Sequence, residues 1–93
     1  MIHALPAPVR GATHVEIEEA AINVSRGFCV LRGTLGTATI AGDALDNTKP
    51  TWDRAVTLQD ADYAAFRLLV PDTSQLTFAA LVGWIDQHAL WGG

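Results

Sequence analysis

"VEIEEAAINVSRGFCVLRGTLG" occupies residues 15–36, and its apolar spacing decides the first half of the fold. Val15 and Ile17 alternate with His14, Glu16 and Glu18, the period of two that marks a half-buried strand. Further on the apolar phase moves to Ala20, Ile22 and Val24, so a bulge or break is expected near Glu19. Ser25, Arg26 and Gly27 are a short turn signal between two β-rich runs, which predicts a hairpin. Residues 28–31 and 37–40 then continue the sheet, with Gly33, Gly36 and Gly42 as punctuation.

Working outward, "DALDNTKPTWD" at residues 43–53 has turn chemistry throughout and reads as an exposed loop. A short strand is expected over residues 52–58. Thr57 and Asp60 then have the spacing that caps a helix start, Asp62 adds charge near the positive end of the helix dipole, and Pro71 ends the helix. Asp72, Thr73 or Ser74 is expected to cap a final helix. In the other direction, "MIHALPAPVRGAT" reads as an extended N-terminal arm over residues 1–13, because Pro6 and Pro8 lack backbone donors and hold their predecessors extended. Ile2, Leu5 and Val9 give that arm an apolar character that a free tail does not need. It is either a disordered leader or an arm lying on its own domain or a neighbouring subunit. Residues 14–93 form one domain. Strands first and helices last define the α+β class: a small antiparallel sheet of three or four strands, with two C-terminal helices packed on it.

The final helix is apolar on two sides. At 100° per residue, Phe78, Leu81, Val82, Ile85 and Ala89 fall within an arc of about 100° and make a core-facing stripe. Leu76, Trp84 and Trp91 fall with Ala80, Gly83 and Gln87 on roughly the opposite side, and only Asp86 and His88 are plainly polar between the two. The preceding helix is just as broad, with Tyr63, Phe66 and Val70 on one face and Ala61, Ala65, Leu68 and Leu69 on another. It could cover part of the second arc. Tryptophan is a common interface anchor, and small residues beside it let another backbone approach. Leu76, Ala80, Gly83, Trp84 and Trp91, with Ile2, Leu5 and Val9 of the arm, are therefore the expected partner-facing residues. The alternative is an ordinary core closed by the first helix and the arm.

Composition supports a covered surface. Of 93 residues, 49% are hydrophobic and only 17% charged, where about 25% is usual. Mean hydropathy is +0.21. A small domain has the most surface per residue, so too few charges predict that another chain covers part of it. A Thr- and Ala-rich neutral surface would account for the same numbers. The net charge is −4, and Arg10, Arg26, Arg32, Lys49, Arg54 and Arg67 are dispersed, which argues against a direct nucleic-acid partner and against an anionic membrane. Cys29 is the only cysteine and its apolar neighbours read as a strand, so it is expected to be a buried thiol. The N-terminus has no signal-peptide pattern, and the longest apolar run, residues 78–85, is far short of the ~20 a membrane helix needs. A soluble protein made in a reducing cytoplasm is expected.

Catalytic chemistry finds little support. His14, Glu16 and Glu18 could offer a nitrogen and two carboxylates to a metal, but they read as a solvated strand face. Asp43, Asp46 and Asn47 could supply oxygens to Ca²⁺, yet their spacing is not that of an EF-hand and they read as turn residues. No nucleophile has a local base, and the glycines of "RGTLGTATIAG" match neither G-x-G-x-x-G nor a phosphate-binding loop. No catalytic, cofactor-binding or metal-ligating residue is assigned, and the chain is expected not to be an enzyme.

The β-rich start "VEIEEAAINVSRGFCVLRGTLG", followed by "AVTLQDADYAAFRLLV" and an apolar terminal helix, resembles small structural proteins of tailed bacteriophage virions. Tail, neck and capsid-associated subunits of that kind share one α+β domain, Ala- and Thr-rich and low in lysine, with an extended terminal arm. The resemblance carries no diagnostic motif, so it transfers no residue role. It implies self-assembly as a homo-oligomer, with the virion as the destination. The alternative is a monomeric acidic binding or inhibitory module that docks on another protein.

Overall fold

The structure, a computed structural model, describes residues 2–92. Four strands, β1 (Ile2–Val9), β2 (Ala12–Asn23), β3 (Phe28–Gly36) and β4 (Trp52–Gln59), form an antiparallel sheet in the order β1-β2-β3-β4. Helix α1 (Asp60–Leu69) and helix α2 (Phe78–Gln87) follow, so the α+β reading holds, with the sheet N-terminal and the helices C-terminal. Short 3-10 turns occupy Thr73–Gln75 and Leu90–Gly92.

The change of apolar phase in β2 is a bulge. Ile17 pairs with Gly33 but Glu19 pairs with Arg32, so one extra residue, Glu18, is inserted. Beyond it Ala20 and Ile22 pair with Leu31 and Cys29, which keeps the apolar positions of both strands on one face. Gly33 faces this bulge with no room to spare: a Cβ there would lie 2.7 Å from both the Glu16 carbonyl oxygen and Val15 Cγ2. Val24 does not join the stripe; it lies in the turn, 45% exposed. That turn is held by Gly27 N–H donating to Asn23 O at 2.9 Å, while Asn23 Oδ1 accepts from Arg26 N–H.

The described part of the N-terminal arm lies on its own domain as the edge strand β1. Pro6 and Pro8 are tolerated because β1 pairs on one side only, and its register shifts between Ala4 and Val9. Arg10 and Gly11 both take positive φ, 50° and 87°, the geometry of a two-residue hairpin turn that returns the chain into β2.

Three local expectations are corrected. Residues 37–40 do not extend the sheet; Ala38 makes a single bridge to Leu45 within a small hairpin closed by Thr39 N–H to Ala44 O. Thr57 does not cap α1, because β4 runs on through Gln59 and commits Thr57 to the sheet. The cap of α2 is Thr77, whose hydroxyl accepts from Ala80 N–H at 3.2 Å, in place of Asp72, Thr73 or Ser74. The intervening 3-10 turn, opened by Asp72 Oδ1 accepting from Ser74 N–H, moves the helix start downstream.

Both helices pack on the face of the sheet that carries Val15, Leu31, Leu35, Val56 and Leu58, all buried. Phe66 of α1 and Leu81, Trp84 and Ile85 of α2 complete one core cluster. No helix among the described residues is long and apolar enough to cross a membrane.

Candidate functional site: the open face of helix α1

Two helices that are each apolar on two faces can bury three of those four faces between themselves and one sheet. The structure shows which one is left over. Phe66 points from the first face of α1 into the second arc of α2 and meets Trp84 edge-to-face, with ring centroids 5.9 Å apart. His88 stacks on the same indole at 3.8 Å. Trp84 is thereby 8% exposed, a core residue and not a partner-facing one.

Trp91 is corrected in the same sense. It is 2% exposed, because α2 stops at Gln87, Ala89 takes a positive φ of 51°, and the last 3-10 turn folds the indole back under the sheet. Its N–H donates to Asp86 Oδ1 at 2.8 Å. Arg54 of β4 secures the turn, with Nε donating to Trp91 O at 3.1 Å and Nη2 to Leu90 O at 3.0 Å.

The remaining expected contact residues do not form one surface. Leu5 and Val9 are half-buried against the core, and Ile2 is half-buried on β1. Val9 and Trp91 line a cleft of about 190 Å³ with Trp52 and Arg54. Leu76 is half-buried against the core, while Ala80, Gly83 and Trp84 line a shallow apolar groove of about 230 Å³ with Phe66, Leu69 and Gln87.

What remains uncovered is the outer face of α1. Leu68 is 82% exposed and Leu69 is 65% exposed, and Ala61 and Ala64 are exposed beside them. The alternation along α1 already contained this face; the helical wheel could not tell which face would be covered. Asp60 and Asp62 sit in its first turn and Arg67 in its last, each favourably placed in the helix dipole. Arg67 donates to Tyr63 Oη at 3.4 Å and to Pro71 O at 3.2 Å. Ile40 at the tip of the small hairpin is also fully exposed, an isolated position without apolar neighbours of its size.

The candidate ligand sets are spent locally. Glu18 stays on the sheet face of Glu16, where its Oε1 accepts from Thr34 Oγ1 at 2.6 Å. His14 Nδ1 bonds Thr13 Oγ1 at 2.8 Å. Asp46 Oδ1 accepts from the Thr48 N–H at 2.9 Å and the Thr48 hydroxyl at 2.6 Å, and these bonds hold its carboxyl below the usual carboxylate range. No three His, Cys, Asp or Glu side chains cluster as a metal site among the described residues. Cys29 is fully buried, and that burial pushes its thiol up, with the charge of Arg67 opposing in part. Away from the helices, Glu16, Glu18 and Thr34 line a depression on the opposite sheet face, with Asp53 beside Thr34.

These features define a small α+β protein: a four-stranded antiparallel meander with two helices on one face, and an unpartnered apolar strip on the first of them. Compared with known proteins, the chain matches no family model, no curated protein and no solved structure.

Proposed function

We propose that this chain is a non-enzymatic structural subunit that acts through protein–protein contacts and self-associates. The observation that carries the reading is the outer face of α1, where Leu68 and Leu69 are 82% and 65% exposed on a chain with only 17% charged residues. Two adjacent leucines left in water on a helix that already buries Phe66 cost hydrophobic free energy that a contact recovers. On this reading the protein is made in the cytoplasm, and its resemblance to small tailed-phage virion proteins makes a virion its destination. Absolute mass in solution across a wide dilution series tests it. A multiple of 9.9 kDa at high concentration is expected, and a monomer at every concentration overturns it.

A second reading is a monomeric acidic module. It is favoured by the open sheet face with Glu16, Glu18 and Asp53 and by the net charge of −4. It predicts a monomer whose binding to another protein weakens as salt rises.

A further inference from the structure

We propose that the outer face of α1 packs antiparallel against the same face of a second copy, about a two-fold axis at Ala64 and Ala65. The inference rests on the assembly reading above and names the partner and the geometry.

The sequence of α1 is matched to itself in reverse. Ala61, Ala64, Ala65 and Leu68 fall within an arc of about 100° on an ideal helix, the first, second and last of them exposed and Ala65 half-buried at its edge against the core. Ala61 and Leu68 are equally far from the midpoint of that stripe, and so are Ala64 and Ala65. An antiparallel pair therefore sets Leu68 of each copy on Ala61 of the other, large against small at both ends. The two alanines at the centre let the helix axes approach to about 8 Å.

Charge fixes the direction. Asp60 and Arg67 lie about 20° apart on the helical wheel, on one flank of the stripe. A two-fold axis perpendicular to the helices keeps each flank against its own counterpart, so Asp60 of one copy lies on the same flank as Arg67 of the other, about two residues or roughly 3 Å out of level, twice. A parallel two-fold pairing would instead turn this flank against the opposite flank of the other copy, where Asp60 meets Asp62 and Arg67 meets Leu69. Among the described residues of one chain neither group forms an ion pair, and Arg67 donates from its Nη atoms to neutral oxygens at 3.2 and 3.4 Å. A guanidinium has five donors, so capacity remains for a carboxylate. Antiparallel α1 helices also set opposite dipole ends side by side.

A ten-residue helix offers less than the roughly 800 Å² per partner of a stable complex, so the dimer is expected to dissociate on dilution.

The test compares the full chain with two variants by sedimentation over a concentration series. Leu68→Glu is expected to raise the dimer dissociation constant about tenfold or more, without lowering the melting temperature at dilutions where the parent is monomeric, since Leu68 is 82% exposed in the single chain. Ala64→Cys is expected to give a disulfide-linked dimer under mild oxidation, whereas Thr48→Cys in the exposed loop does not; native Cys29 is buried and takes no part. If Leu68→Glu self-associates as the parent does and Ala64→Cys fails to cross-link, this pairing is wrong while the assembly reading stands on another surface. A parent chain that is monomeric throughout overturns both.

Discussion

Asp86 joins residues from far apart in the chain: one carboxylate oxygen accepts the Trp91 indole N–H at 2.8 Å, and the other holds His3 Nε2 at 2.7 Å. Strand β1 and the last 3-10 turn are thus both tied to one residue of α2. An ionised carboxylate only accepts, so His3 Nε2 carries the proton in this contact.

Removing that acceptor leaves a buried indole N–H without a partner. Asp86→Ala is expected to lower stability by about 2–3 kcal/mol, read as a lower urea midpoint. Asp86→Asn keeps an acceptor for Trp91 and should recover much of the loss, which separates hydrogen bonding from packing.

Two glycines give opposite expectations. Gly33→Ala forces a methyl to within 2.7 Å of the Glu16 carbonyl oxygen, a backbone atom that cannot swing away, and should cost about 1–3 kcal/mol. Gly83, inside α2, has nothing within 4 Å of an added Cβ. Gly83→Ala should therefore stabilise by about 0.5–1 kcal/mol through helix propensity. Equilibrium unfolding of the pair checks both signs.

Burial raises the Cys29 thiol and hides it, so little nucleophilic thiolate is accessible in the native protein. A disulfide reagent such as dithionitrobenzoate should label Cys29 only as the protein unfolds. Its rate in increasing denaturant should follow the unfolding transition, whereas fast labelling in native buffer would contradict the burial.

Asp46 has its carboxyl lowered by the Thr48 hydroxyl and amide. A folded-state value below the unfolded one means that this contribution is fully present above the unfolded pKa, near 3.8, and is lost as the pH falls through the folded value. The Thr48 amide resonance should accordingly move at a pH below that of an ordinary aspartate. Asp46→Ala should abolish that titration and leave the core resonances in place.

Much of the sheet was legible because a strand's side-chain period is rigid. The step from Val15 and Ile17 to Ala20 and Ile22 has no explanation on an unbroken strand, so the bulge could be read directly. The arm was harder: Pro6 and Pro8 argued against a central strand, yet an edge strand needs fewer donors, and the Arg10–Gly11 turn was the overlooked signal. The candidate surface was legible as a set of faces but not as neighbours. A wheel drawn through Trp91 presumes a continuous helix, and Ala89 breaks it with a positive φ. For Trp84 the wheel direction was right, but α1 supplied the cover by placing Phe66 there. Periodicity assigns directions within one element; which two apolar faces meet depends on tertiary packing.

The two edges of the sheet are not equivalent. On one side stand Pro6 and Pro8, and beyond Glu16, the partner of Ile2, come the bulge and Glu18 and Glu19. On the other side β4 runs from Trp52 to Gln59 without a proline and without a register shift. Ribbon-like polymerisation needs two receptive edges per molecule, and among the described residues only β4 offers a full-length edge with neither proline nor bulge. Any strand-to-strand joining would end at a pair, so the fold acts as its own chain terminator against fibre growth.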